Sequence, residues 1–304
     1  PSSFGETDSV TGRWKAKAYS GTYGTNGFYL KFADNSGATA TTLGKDSSGN
    51  SNNWTPNNFS VTAGAGNDSL LDSPTNSGTS GNYCVVNPLK NDTSFTSTNG
   101  NLDVTLANET GGRSCSGTFA ISYGKFYWEA TVTANAGNRA GVGIATSETS
   151  TANYSGSYSS GYTYEGSTGD KITNGTSSSY GSTFTTNDVI GVALDMDNGS
   201  LVFYKNGSSQ GTAYSGLSGV FNPRFDNTGN VASTSVSYSI NFGQRPFAYT
   251  APTGFKALCT TNLPTPTIKK PSTAMDVVTY TGTGASNSIS SLGFSPDLVW
   301  IKNR

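Results

Sequence analysis

The segment Ser235-Val-Ser-Tyr-Ser-Ile-Asn-Phe242 alternates polar and apolar residues without a break, which places Val236, Tyr238, Ile240 and Phe242 on one side of an extended chain. A period of two belongs to a strand with one buried face. The same period runs through Lys125-Phe-Tyr-Trp-Glu-Ala-Thr-Val132, where Phe126, Trp128, Ala130 and Val132 take the inner side. Lys125, Tyr127, Glu129 and Thr131 take the other, so Glu129 is expected to be solvated or paired across strands. Gly27-Phe-Tyr-Leu-Lys-Phe32 predicts a further strand with Phe28, Leu30 and Phe32 on one face.

Between Asp188 and Gly207 two apolar runs are separated by Asp197-Asn198-Gly199 and closed by Asn206-Gly207. Asn-Gly flanked by hydrophobic runs is the strongest short-range hairpin signal, and it predicts strands over 188–196 and 200–205. Ala140-Gly-Val-Gly-Ile-Ala145 reads as a central strand beside the Trp128 strand, its glycines admitting close approach by another backbone. Gly, Ser, Thr and Asn contribute 38, 44, 42 and 29 of the 304 residues, and such residues disfavour helix interiors. With 16 Tyr and 15 Phe suited to half-buried sheets, the expected fold class is all-β rather than disordered.

The chain has no His, which removes Ser-His-Asp and Cys-His nucleophile systems, HExxH zinc sites and imidazole proton shuttles. Cys84, Cys115 and Cys259 are too far apart for a zinc knuckle and read as small buried hydrophobes. The net charge of −1, with no basic run longer than Lys269-Lys270, argues against nucleic acid as a partner. No stretch approaches the length needed to span a bilayer, and Pro1-Ser-Ser-Phe lacks the pattern of a leader, so neither membrane insertion nor a signal peptide is expected.

Glycoside hydrolysis would need two converging carboxyls, yet Glu6, Glu109, Glu129, Glu148 and Glu165 share no strand face with a second acid at suitable spacing. No catalytic residue, cofactor or metal site is assigned. Asp195-Met-Asp197-Asn198-Gly199 lacks the Glu of an EF-hand loop and reads as a hairpin turn; Asp46-Ser-Ser-Gly-Asn50 reads first as a turn, with a Ca²⁺ site left open.

The candidate binding residues are aromatic. Tyr154-Ser-Gly-Ser-Tyr-Ser-Ser-Gly-Tyr-Thr-Tyr164 has the Tyr/Ser/Gly composition of antibody paratopes. Tyr154 and Tyr158 are assigned to a binding loop, and Tyr162 and Tyr164, which alternate as a strand does, mainly to the core. Trp14 and Trp54 lie in polar surroundings; each is expected either to stack on a sugar or anchor a subunit, or to join a satellite cluster over the sandwich.

The blocks Gly124-Lys-Phe-Tyr-Trp-Glu129, Gly141-Val-Gly-Ile144, Asp188-Val-Ile-Gly-Val-Ala-Leu-Asp195, Leu201-Val-Phe-Tyr-Lys-Asn-Gly207 and Asn241-Phe-Gly-Gln-Arg-Pro-Phe247 resemble the SPRY domain, a bent β-sandwich of the concanavalin-like kind. Outside it, Asn26-Gly-Phe-Tyr-Leu30, Asp46-Ser-Ser-Gly-Asn50, Asn52-Asn-Trp-Thr55, Asp72-Ser-Pro-Thr75 and Phe294-Ser-Pro-Asp-Leu-Val-Trp-Ile-Lys-Asn-Arg304 resemble tail-fibre-like virion proteins of bacteriophages. The chain then divides into a Gly/Asn-rich, β- and loop-rich segment for assembly or attachment over 1–81, a SPRY-like sandwich over 82–262, a Pro-rich linker over 263–271, and the start of a further β domain over 272–304, with a strand at Asp297–Ile301. The resemblance implies a non-enzymatic virion protein, a tail fibre or appendage made in the host cytoplasm. Its expected partners are its own copies, commonly three in appendages of this kind, other virion proteins, and a host-surface glycan or protein receptor. A capsid or tail decoration protein is the alternative, and a polysaccharide-cleaving enzyme the remote one.

Overall fold

The computed structural model describes residues 2–302 apart from 65, 74–80, 91–94, 108–111, 136, 138, 230–234 and 265–266. Glu109, the end of Asp72–Thr75 and part of the Pro-rich segment therefore lie outside the described residues. The chain forms two compact units, Thr22–Leu263 and the pair Pro1–Gly21 with Pro264–Arg304.

In the smaller unit a short hairpin pairs β1 (Gly5–Thr7) with β2 (Trp14–Ala16). Asp8 closes its turn by accepting from the backbone of Thr11 and Val10 and from the Thr11 hydroxyl, and these bonds hold its carboxyl down at about 2. The Trp14 ring lies over Gly5, where a Cβ would fall 1.9 Å from it. Downstream, Pro271–Thr273 forms one 3-10 turn, and no strand follows among the described residues. The strand expected at Asp297–Ile301 is not formed: Leu298 and Trp300 are 86% and 91% exposed. A period of two specifies a strand only where another strand completes its hydrogen bonds.

The larger unit is a two-sheet sandwich. Its strands in chain order are β3 (Phe95–Thr98), β4 (Asp103–Leu106), β5 (Arg113–Ser116), β6 (Lys125–Asn135), β7 (Ala140–Thr146), β8 (Gly161–Glu165), β9 (Asp170–Thr173), β10 (Thr176–Ser179), β11 (Val189–Asp195), β12 (Ser200–Lys205), β13 (Ser208–Tyr214), β14 (Phe221–Asn227), β15 (Val236–Asn241) and β16 (Lys256–Ala257). The larger sheet runs β13-β12-β11-β6-β15-β4-β3, with β16 beside β6, and the smaller runs β10-β9-β8-β7-β14-β5. The fold is all-β and SPRY-like, as expected.

The alternating runs behave as the period requires. Phe126, Trp128, Ala130 and Val132 of β6 meet Val236, Tyr238, Ile240 and the following Phe242 in one core with Val142, Ile144, Phe203 and Phe225. The β11–β12 hairpin turns on Gly199, at φ +64, while Asp195 accepts from the amides of Asp197 and Asn198 and pairs with Lys125 at 2.9 Å. All three cysteines are free and buried, and burial pushes the Cys84 thiol up to about 12.

Two further expectations about strands fail. β7 does not lie beside β6; it sits in the smaller sheet between β8 and β14. Its glycines serve that place, since a Cβ at Gly143 would fall 1.9 Å from the Tyr162 carbonyl oxygen. Gly27–Phe32 is not a strand either: Leu30 bridges Asp46 at one position, Phe32 sits at φ +50, and Phe28 and Phe32 are exposed. What organises this segment is Asp46, whose carboxylate accepts from Tyr29 N, Ser48 N, Ser48 Oγ and Asn52 N. Burial opposes its ionisation, and the donors outweigh burial to hold it at about 2. The Asp46–Asn50 turn thus directs its carboxylate to the protein's own donors.

Candidate functional site

β14 reads Phe-Asn-Pro-Arg-Phe-Asp-Asn, and its period sends Phe221 and Phe225 into the core and Asn222, Arg224 and Asp226 to the outer face of the smaller sheet. An outer face carrying an arginine and an aspartate would ordinarily be wet. Here all three are buried, because the connection from β7 to β8, residues 147–160, folds back as a strap over them.

Each outward side chain holds the strap at a different place. Ser147 Oγ bonds Asn222 Oδ1 at 2.6 Å, Arg224 Nη2 donates to the Thr149 carbonyl at 2.7 Å, and Asp226 Oδ1 accepts from Ser155 N at 3.1 Å and Ser155 Oγ at 2.8 Å. From β5, Arg113 Nη1 donates to the Ala152 carbonyl at 2.6 Å and Ser114 N to that of Thr151 at 3.1 Å. Ser155–Ser157 form one 3-10 turn, with Gly156 tight against Ile172 and donating to Thr163 Oγ1 at 2.8 Å.

Tyr154 and Tyr158 flank this turn, both half-buried. The structure therefore brings these two predicted residues onto one anchored element. Tyr162 and Tyr164 belong to β8: Tyr164 is fully buried, and Tyr162 meets Tyr214 and Phe221 edge-on. Trp54 rests on Phe28 at 4.9 Å in the segment before the sandwich, and Trp14 belongs to the other unit. Neither tryptophan joins the strap's anchors among the described contacts.

Asp226 and Arg224 were not singled out from the sequence. Burial raises the Asp226 carboxyl to about 6 against the three hydroxyl and amide donors and the nearby Arg224 charge. Burial also lowers Arg224, opposed chiefly by Asp226. The available signal was the pair of opposite charges two residues apart on one face of the strand.

Glu129 requires a correction of the same kind. It is 2% exposed rather than solvated, and accepts from Ala248 N at 2.7 Å, Tyr249 N at 2.9 Å and Tyr127 Oη at 3.1 Å. The chain after β15 turns back over the outer face of the larger sheet, placing Phe247 edge-on against Tyr127. Burial pushes the Glu129 carboxyl up. Further along this face lies a groove of about 510 Å³ lined by Thr96, Thr98, Asp103, Thr105, Ser237 and Ser239 among others. Several of its polar groups bond one another, Thr105 to Ser237 at 2.8 Å and Ser239 to Asp103 at 2.5 Å.

Residues 125–245 match the SPRY domain family. Within the SPRY match lie β6 to β15 and the whole strap. Residues 270–304 match a second family, a domain of unknown function, DUF7483. Ran-binding protein 10 of Danio rerio is 36% identical over 89 residues, 29% of this chain and 14% of that protein. Ran-binding protein 9 of Homo sapiens is 36% identical over 89 residues, 29% of this chain and 12% of that protein, and ATP-dependent RNA helicase DDX1 of Xenopus laevis 31% over 144 residues, 47% and 18%. The chain thus spans less than a fifth of these relatives. The human HERC1 SPRY domain superposes with a TM-score of 0.43 at 22% identity, covering 51% of this chain and 96% of that domain. The TRIM65 PSpry domain does so with 0.41 at 14%, covering 51% and 91%.

These relatives correct the expectation drawn from the flanking motifs. They are eukaryotic cellular proteins, which overturns the assignment to a bacteriophage tail fibre or decoration protein, and with it the virion location and the host-surface receptor.

Proposed function

We propose that the sandwich is a non-enzymatic protein-binding module whose contact surface is the strap 147–160, with Tyr154 and Tyr158 as its aromatic contacts. The observation that carries this reading is the anchoring of the strap by Asn222, Arg224, Asp226 and Arg113 from the sheet beneath. A segment held at several points loses little conformational freedom on binding, and half-exposed tyrosines supply contact area with few torsions to freeze. The names of the Ran-binding relatives identify a protein as their ligand, which favours a protein partner over a small molecule. The placing of two of the buried carboxylates agrees: Glu129 and Asp226 lie on different sheets and accept from amides of covering segments. By the same reading, 263–271 links the sandwich to a second module beginning near 272, a boundary that the DUF7483 match supports.

The test is a yeast-displayed random peptide library selected on the intact chain. Enriched peptides should lose binding by tenfold or more to the Tyr154→Ala/Tyr158→Ala variant, whose unfolding midpoint stays unchanged. Peptides that bind this variant as well as the parent would remove the strap from the contact surface. Sedimentation across a concentration series separates self-association from recognition of a foreign protein.

A further inference from the structure

Asp226 is fully buried and, among the described residues, forms no ion pair. Its partners are Ser155 N and Oγ on Oδ1, both from the strap, and Thr163 Oγ1 on Oδ2 at 2.6 Å from β8. Arg224, two residues before it on the same strand, directs its guanidinium to Ser114 Oγ and to the carbonyls of Thr146 and Thr149. The other titratable groups around it are the Cys115 thiol from β5, the Tyr238 hydroxyl, which donates to the Asp226 carbonyl from the larger sheet, Glu165 on β8, paired with Arg139 at 3.9 Å and bonded by Thr228, and Tyr158 on the strap near Arg224.

This arrangement couples a proton to the strap. With the strap closed, the Asp226 carboxylate is withdrawn from water; lifting Ser155 off returns it to water. Burying the charged form costs free energy that burying the acid does not. The network also accommodates the proton. Held on Oδ2, it donates to Thr163 Oγ1, which continues to accept from Gly156 N and turns its own hydroxyl hydrogen away from Asp226, while Oδ1 continues to accept both donors of Ser155.

We propose that Asp226 is a proton-operated latch, which acid tightens on the strap and rising pH loosens. The closed form binds the proton more tightly than the open form, so by linkage each proton bound favours closure. Burial that raises the carboxyl to about 6 puts the response just below neutrality, and with no His in the chain no imidazole responds in the same window. The latch goes beyond the binding reading and does not rest on it.

The test is amide hydrogen exchange on the intact chain from pH 7.5 to 5.0, with rates corrected for their intrinsic pH dependence. Ser155 and Gly156 donate to Asp226 and Thr163 and report opening directly. Their protection is expected to rise about tenfold over this range as Asp226 takes up its proton. Protection that stays flat or falls would overturn the latch, as would a strap that exchanges only with the β11 amides, because opening would then be global unfolding. Asp226→Asn should abolish the pH dependence; its persistence in a folded variant would also overturn the proposal. Should that variant fail to fold, carbon-13 titration of the native Asp226 carboxyl decides: a midpoint near 6 shared with the Ser155 amide shift supports the latch, and an ordinary carboxylate midpoint overturns it.

Discussion

The carboxyl groups that their surroundings shift fall into two populations that respond to acid with opposite signs. Asp226 is raised from 3.8 to about 6 by burial, so its contribution to stability is fully present below the unfolded value and is lost as pH rises through about 6. Asp46 is held near 2 by its donors against burial, so its contribution is present above about 4 and is lost as pH falls through 2. Glu129 is shifted in the same direction as Asp226, and Asp188 and Asp195 in the same direction as Asp46. Denaturant unfolding measured from pH 8 to 2 should therefore show stability rising as pH falls from 7 to 5 and dropping below about 4. A monotonic loss from pH 7 downward would contradict the environments assigned to Asp226 and Glu129. None of these signs could be read from sequence, because an Asp in an alternating run looks the same whether water or another segment covers it.

At the scale of elements, the strap depends on the side chains under it. Arg224→Ala leaves the buried Thr149 carbonyl without its donor and takes one of two donors from the Thr146 carbonyl, and is expected to cost about 2–4 kcal/mol of unfolding free energy. Amides of the strap should lose protection in this variant before those of β11 do, as exchange measured by mass spectrometry would show. Strand identity was legible wherever both faces of a run had strong local character, as in β6, β11, β12 and β15. It failed at Gly27–Phe32 and Asp297–Ile301, where the pattern is present and the partner strand is not. The tyrosines of the strap were legible from composition; its anchors were not, because Arg113, Asn222, Arg224 and Asp226 acquire their meaning from a connection that returns over them. Sheet membership was equally invisible for β7, whose glycines announce close approach without saying to what.

For the molecule as a whole, the buried apolar cluster extends from Cys84 to Leu258, inside the larger unit. Residues 22–263 expressed alone are therefore expected to fold and to melt within a few degrees of the full chain in calorimetry. A drop of more than about 10 °C, several kcal/mol for a domain of this size, would show that 1–21 or 264–304 stabilises the sandwich. The sandwich also has a pattern that the resemblance did not contain. On the outer face of each sheet a buried carboxylate, Glu129 or Asp226, accepts backbone amides from a segment laid across that face.

The three thiols give this architecture a use in the laboratory. Cys84, Cys115 and Cys259 lie at 0%, 0% and 1% exposure, and the thiolate that reacts with alkylating agents is suppressed at Cys84 by burial. An alkylating reagent selective for thiols, added to the native chain, meets no accessible thiol until the sandwich opens. Mass added per molecule over time then counts opening events directly, so the chain carries its own clock for kinetic stability without an engineered label.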